Sequence, residues 1–541
     1  MQRTMMRPEQ IFFLGLAWIA GWSAAECAEQ AGSVPASTAT VEAEQPHFAV
    51  TEYRVLGNSV LPARDIESLL YPLLGEGKTF GDVKAAAAAL EKLYHDRGFG
   101  TVFVDVPPQD VQDGLVRLHV TEATVHERKV DGAKYFSERD IVRALPAATV
   151  GGVPNLTELQ QQLTAINSQS TDRSVVPVLK AGPVPGTLDM ELKVSDKLPL
   201  HGSLELDDNY TADTKPLRAE ISLSYGNLFQ EFDQVSLQYQ DSVQSHGQVG
   251  VIDGSYTTHP LWDDATASAY VIDSNSNVPN VGVGANGVLG KGQIAGFRWN
   301  FAAQVIGVSS QQLTLGLDYK SFRNTITAGG GSADLVTPIK YTELSAAYVG
   351  TWRWSLFDLA LQASPIFGLR GLPNSAKDFE NDRYLARPNF LFLRWDTSLT
   401  FHPAAGYRLT LRAAGQDTNG PLISNESYSI GGIDGVRGYL EAEELGDSAV
   451  KGTAQLQSPT VSWHIPQLFN AFTFFDAGHT HVYDNLAGQP GHVFLDSFGV
   501  GLTLLPTRQY NAVLTWADPL KDGSYTRAWQ SRLLFLVRGA F

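Results

Sequence analysis

From Leu198 to Phe541, apolar and polar residues trade places one for one, segment after segment. Leu217, Ala219, Ile221, Leu223 and Tyr225 alternate with Arg218, Glu220, Ser222 and Ser224. The pattern returns over Val235–Tyr239, Leu313–Tyr319 and Tyr407–Ala413, and the last segment puts Leu533, Phe535, Val537 and Phe541 on one face. A period of two with a polar opposite face means half-buried strands. In a soluble sandwich the apolar face packs inward. In a membrane barrel it meets lipid, the polar face lines water, and aromatic residues sit at the strand ends. Tyr225, Tyr239, Tyr319, Tyr407 and Phe541 fit the barrel. At ~10 residues per spanning strand plus turns and loops, residues 198–541 feed about 16 strands. An open sheet of that length would leave unpaired edges in lipid, so closure follows.

Composition agrees. Charged residues are 18% of the chain, against roughly 25% in ordinary soluble proteins. Beyond the first ~30 residues no run approaches the ~18 apolar residues of a membrane-crossing helix, which excludes a polytopic helical protein. A net charge of −17 repels phosphate backbones and argues against nucleic-acid binding. The single cysteine, Cys27, rules out an intrachain disulfide. Arg3 and Arg7, the apolar run Ile11–Trp22 and then Ser23-Ala24-Ala25 make a secretory signal peptide over residues 1–25. Glu26 before Cys27 does not suit a lipoprotein signal. Residues 26–47, rich in Ala, Ser, Thr and Glu without an apolar period, read as a linker.

Between linker and barrel the period changes. Phe48–Val55 alternates like a strand and ends at Gly57-Asn58. Ile66, Leu69, Leu70 and Leu73 mark a helix over Ala63–Leu74. Thr79 can cap a second helix ending at Gly98, with Val83, Ala86, Leu90, Leu93 and Tyr94 as its stripe. Thr101–Val106 and Leu115–Val120 are two further strands around Pro107-Pro108-Gln109-Asp110 and Gly114. The order is β-α-α-β-β over residues 48–122. It recurs over 123–197: a strand Val125–Val130, a helix Ser137–Leu145, a helix from Asn155, and strands Ser174–Leu179 and Thr187–Val194. Modules of ~75 residues without paired catalytic groups read as binding modules.

Several motif strings fail in context. Gly282-Val283-Gly284-Ala285-Asn286-Gly287 has the dinucleotide spacing but lies in a Gly/Asn-rich connection, not between strand and helix. Gly290-Lys291-Gly292 lacks the rest of a phosphate loop. His479 and His481 have no third ligand nearby in sequence and read as wet rim residues. No nucleophile elbow or carboxylate constellation is visible, so no enzyme, metal or cofactor is expected. One segment differs. Ser429–Tyr439 carries four glycines around Val436-Arg437-Gly438-Tyr439 and continues through Glu441 to a fifth at Gly446-Asp447. Phe474-Phe475-Asp476-Ala477-Gly478 follows, an apolar strand with one acid. An arginine on a loop folded into a barrel, facing an acid on its wall, would form a bidentate charge-assisted pin. Capping of a surface loop is the plain alternative.

These two runs resemble the signature motifs of the outer-membrane assembly and secretion superfamily. Pro107-Pro108-Gln109-Asp110 with Gly114 looks like the first POTRA module of its two-partner secretion branch, the ShlB/FhaC/HecB-type (TpsB) haemolysin secretion/activation transporters. Arg173–Pro177 and Pro185-Gly186-Thr187 are similar to the second POTRA. The resemblance implies a mainly β protein: a 16-stranded transmembrane β-barrel behind two periplasmic POTRA domains, in the outer membrane of a Gram-negative bacterium. It implies a secreted exoprotein (TpsA-type) as partner, bound through its N-terminal secretion domain, and no nucleotide. Outer-membrane lipids, and the barrel-assembly machinery and periplasmic chaperones during biogenesis, are the other expected partners, with Phe541 at the membrane-insertion C-terminus. Arg437 would pair with Asp476, in the setting of Val436, Gly438, Tyr439, Glu441, Gly446 and Asp447 on the loop and Phe475 and Gly478 on the wall. Pro108, Gln109, Asp110 and Gly114 would be the POTRA motif. Two departures stand out: residues 26–47 show no amphipathic period for the family's N-terminal plug helix, and Ala449 replaces a frequent glycine. A barrel-insertion factor of the same superfamily is the alternative, though such factors usually carry more POTRA modules. A porin would need neither the modules nor the Arg437–Asp476 pair.

Overall fold

The computed structural model describes residues 47–541 except 112, 259–260, 262–264, 276–277, 282–284, 290, 304–308, 327–334, 404–405, 464, 505–506 and 508. The expected signal peptide, nearly all of the linker, and Gly282-Val283-Gly284 and Gly290 of the motif strings lie outside the described residues.

In the first module, Glu52–Leu56 runs parallel to Leu115–Glu122, which pairs antiparallel with Val102–Asp105. Helices Ala63–Leu70 and Phe80–Asp96 cover this sheet. The second helix starts in a capping box: Thr79 Oγ1 accepts from Asp82 N, and Asp82 returns a 2.7 Å bond to Thr79 N. Its inner stripe, Val83, Ala86, Leu90 and Tyr94, is buried. Two expected boundaries move. The first helix stops at Leu70, and Tyr71–Leu73 tightens to 3-10 because Pro72 has no N–H to continue the ladder. Phe48–Val55 is not one strand. It breaks at Thr51, whose N–H and hydroxyl donate to Gly114 O and Asp113 O, and Phe48–Val50 pairs instead with Gly75–Lys78.

The second module repeats the plan, with Thr124–Asp131 parallel to Thr187–Asp196 and Arg173–Ala181 antiparallel to the latter. Its helices are Glu138–Arg143 and Leu156–Ser168. The first is shorter than its apolar pattern because Pro146 opens a 3-10 turn. Asn155 caps the other helix and also donates to Arg97 O at 3.0 Å, tying the modules together.

Residues 200–540 close into a sixteen-stranded antiparallel barrel. One wall strand is in two pieces, Ser448–Gln457 and Val461–Trp463, both on Ile465–His481. Closure joins the last strand, Arg532–Ala540, to the first, Leu200–Asp207, over the register Leu536↔Asp207 to Ala540↔Ser203. Phe541 extends the seam: its N–H donates to Gly202 O at 3.0 Å, and its ring fills the space a side chain on Gly202 would need. Alternation sets the faces. Ile221, Leu223, Leu237, Leu313, Leu315, Leu317, Leu411, Leu533 and Val537 are exposed on the outside, while Asp253, Arg298, Asp318, Lys320, Glu343 and Arg394 are buried inside. One expected strand start shifts. Leu217 lies outside the strand at φ +73°, and pairing begins at Arg218. Among the described residues no helix is long and apolar enough to cross a membrane.

Candidate functional site

The connection between strands Arg408–Thr418 and Ser448–Gln457 turns back into the bore. A short ladder, Tyr428–Ile430 against Glu444–Gly446, forms its stem. Beyond the stem Val436 and Tyr439 are completely buried and pack with Ile430, Ala449 and Leu495. Ala449, where a glycine was expected, therefore contributes to this small core.

Arg437 meets the wall here. Its Nε donates to Asp476 Oδ2 at 2.7 Å, its Nη2 to Oδ1 at 2.8 Å, and its backbone N–H to Oδ2 at 3.1 Å. Nη1 is taken by Gln455 at 2.8 Å, and the guanidinium lies 3.4 Å from the centre of the Phe474 ring. A planar fork on a carboxylate with no solvent exposure is the strong form of an ion pair. Gly438, at φ +96°, takes a backbone path that leads the chain from Arg437 to Tyr439. Gly478 leaves room for Val436, which a Cβ there would meet at 3.0 Å.

The remaining motif residues divide. The Tyr439 hydroxyl donates to Lys521 O at 2.8 Å and accepts from Lys521 N at 3.1 Å, anchoring the loop to the 520–531 connection. Glu441 lines a cavity of about 370 Å³ that also carries Arg394, Asp396, Arg412, Asp434 and Lys451. Gly446 ends the stem ladder. Asp447 accepts from Leu422 N, Tyr483 N and Arg383, joining both ends of the loop to the outer connections. Phe475 is not part of the site. A period of two turns it to the outside, 48% exposed, and Phe474 supplies the ring under Arg437.

In the first module the amide of Gln109 pairs with both backbone groups of Arg117 at 2.8 Å, folding the Pro107-Pro108 turn onto the sheet. Gly114 O accepts from Thr51 N, while Pro108 and Asp110 stay exposed. These residues build the module's own turn, and among the described residues their hydrogen bonds stay within the module.

Three further sets escaped the sequence reading. Glu443, fully paired, accepts from Tyr525 N, Thr526 N and Thr526 Oγ1 at 2.7–2.8 Å. Glu426, with no exposure, meets Lys320 and Tyr341. In sequence Ser424-Asn425-Glu426 has the look of a solvated turn, and its partners are 85–106 residues distant. His492 is a further histidine beside His479 and His481. It stacks on them at 5.3 and 4.3 Å from the adjacent strand. Elsewhere His126, Glu127 and Asp189 form a surface group able to hold a cation, with His126 Nδ1 2.9 Å from Asp189.

Residues 186–504 match the model of the haemolysin secretion/activation protein ShlB/FhaC/HecB family, and residues 48–123 match the ShlB-type POTRA domain. The chain is 21% identical over 491 residues to the outer membrane transporter CdiB of Escherichia coli, covering 83% of this chain and 75% of that protein. It is 20% identical over 496 residues to the heme/hemopexin transporter protein HuxB of Haemophilus influenzae, covering 88% and 84%. In fold it is similar to the solved structure of CdiB from Escherichia coli, with a TM-score of 0.58 at 18% identity over 94% of this chain and 93% of that one. BamA from Haemophilus ducreyi lacking POTRA domains 1–3 gives 0.56 at 13% identity, over 91% and 100%, a likeness of fold.

Proposed function

The chain belongs to the ShlB/FhaC/HecB haemolysin secretion/activation family, outer-membrane two-partner secretion transporters that move an exoprotein outward, and from that premise we propose how its parts divide the work. Residues 48–122 and 123–197 are two POTRA domains in the periplasm, and together they capture the secretion domain of the exoprotein. Each sheet offers outer strands free on one side among the described residues: Glu52–Leu56 and Val102–Asp105 in the first, Thr124–Asp131 and Arg173–Ala181 in the second. An extended segment can add to such an edge, main-chain hydrogen bonds giving affinity and side-chain pockets giving choice. The unfolded chain then passes through the bore, and its folding outside biases the direction without a nucleotide. Phe541, bonded across the closing seam, is the residue read during insertion by the barrel-assembly machinery, after delivery by periplasmic chaperones.

The lumen loop keeps the bore in its competent arrangement, and the observation that carries this is the Arg437–Asp476 fork. Truncating one member of such a pair strands a buried charge, at a cost of ~3–5 kcal/mol. The wall keeps its interstrand ladder regardless. Arg437→Ala is therefore expected to abolish exoprotein release into the medium while the protein still inserts and shifts on heating in gels. Undiminished secretion would overturn the pin. Deleting residues 48–121 is expected to stop export but leave a conducting pore in planar bilayers; exoprotein in the medium would refute the capture role.

A further inference from the structure

Arg437 holds one side of the lumen loop, and the other side has its own attachment. Glu426 Oε1 accepts from Lys320 Nζ at 2.6 Å and from the Tyr341 hydroxyl at 2.5 Å. Its backbone carbonyl accepts from Gln416 Nε2 at 2.8 Å, and Arg394 lies 3.5 Å from Oε2. These partners sit on strands Ser309–Ile326, Leu335–Arg353, Leu391–Phe401 and Arg408–Thr418, whereas Asp476 is on Ile465–His481. The loop is thus a strap across the bore, fixed to two stretches of wall.

The two fixings differ in what their rupture leaves behind. Both Asp476 oxygens are engaged, by three N–H groups of Arg437, so separation strands two buried charges. Lys320 is already shared with Glu343 at 2.8 Å, and among the described residues Glu426 Oε2 and Glu343 Oε2 have no hydrogen bond. When Glu426 leaves, Lys320 keeps an acid partner. The departing carboxylate has a polar cavity beside it, which its own neighbours Ser427 and Tyr428 help to line and where Arg394, Arg412 and Lys451 stand among Asp396, Asp434 and Glu441. A polypeptide can use the full bore only if the strap lets go of one wall, and the cost of an orphaned buried charge decides which.

We propose that Glu426 is a second positioning residue of the strap, a latch on Lys320 and Tyr341 that opens for passage while Arg437–Asp476 serves as the pivot. The inference deepens the reading of the loop as holder of the pore and rests on it. Its test uses the full chain in lipid vesicles with a Ser427→Cys reporter in a Cys27→Ser background, because Ser427 is buried beside Glu426. The rate of modification by a hydrophilic maleimide is measured alongside single-channel open time. Glu426→Gln, the same shape without the charge, is expected to raise the modification rate at least tenfold and lengthen openings, with heat-modifiability intact. Lys320→Met is expected to do the same. Unchanged rates in Glu426→Gln overturn the latch whatever Arg437→Ala does, and Arg437→Ala, run in parallel, judges only the pivot. Should Glu426→Gln fail to insert, the rate in Glu426→Asp, one methylene short of Lys320, decides in its place by the same criterion.

Discussion

Gly57 follows the first sheet strand of the N-terminal module at φ +93°, and a Cβ there would stand 2.2 Å from Val120 O; Gly132 does the same in the next module at φ +91°, 2.3 Å from Val194 O. The correspondence continues. Glu122, ending the first module's last strand, accepts from Ser59 N and Val60 N just after Gly57. Asp196, ending the second's, accepts from Lys134, Tyr135 and Phe136 N just after Gly132. The modules part company four residues after each glycine. In the first, Leu61 folds into the module's own core. In the second, Phe136 belongs to the module's core as well but also stacks at 6.0 Å on Phe232, from the barrel turn between Arg218–Leu228 and Asp233–Ser242, and Gln230 of that turn accepts from Ser137 N at 2.8 Å. Asn227 and Gln230 both donate to Tyr135 O. One plan thus serves a reaching unit and a seated one, and the difference lies in a few side chains facing the barrel.

The largest effect that tests this division comes from the shared glycines. A β-branched residue at φ near +90° is strained, and no rotamer can move a Cβ away from a backbone carbonyl. Gly57→Val and Gly132→Val are each expected to cost their module more than ~3 kcal/mol, read as loss of protection in hydrogen exchange. In Gly57→Val the loss should stop at the first module and leave channel conductance unchanged. In Gly132→Val it should reach the 227–232 turn and alter conductance. Identical conductance traces would erase the distinction between reaching and seated.

How much of this is legible in sequence follows from where each signal is stored. The strands Leu313–Tyr319 and Leu533–Val537 announce themselves because lipid and water impose opposite chemistry on alternate residues. The helix of the first module shows through Thr79 and its apolar stripe, both local. Which of two adjacent aromatics faces the loop is not local: the apolar run Phe474-Phe475 suits either phase until the closed wall fixes Asp476 inward. The break at Thr51 depends on Gly114, far along the chain. Glu426 reads as a solvated turn, and its burial becomes evident only when strands a hundred residues away supply a lysine and a tyrosine. Arg437 and Asp476 were readable as a candidate pair because their glycine-rich and apolar settings are unusual in themselves. The seat of the second module had no signal at all, since Phe229, Gln230 and Phe232 occupy left-handed conformations that their residue types disfavour.

That seat yields the next test. Phe232→Ala removes the ring on which Phe136 rests and is expected to weaken docking by about 2 kcal/mol. The Ser137 amide, bonded to Gln230 across the junction, should exchange faster, while amides of the first module should be unaffected. Faster exchange throughout both modules would mean that they move as one body and that the contrast between them is superficial.

Arg173 makes the smallest and sharpest test. Its guanidinium lies over both rings, 5.0 Å from the centre of Phe136 and 4.4 Å from Phe232. Among the described residues only Nη2 finds an acceptor, the Ile166 carbonyl, while Nε and Nη1 have no hydrogen-bond partner. Burial lowers the group to about 10, with Asp196 opposing the shift in part. Folding therefore disfavours the charged form, and because pH 5–8 lies below both folded and unfolded values, that penalty is constant across the range. The cation–π gain offsets the missing hydrogen bonds. Arg173→Leu, keeping the apolar contact, is expected to change docking by no more than about 1 kcal/mol and to leave its pH profile flat from 5 to 8. A loss above ~3 kcal/mol would show that charge, rather than the fit of Phe136 to Phe232, seats the second module on the barrel.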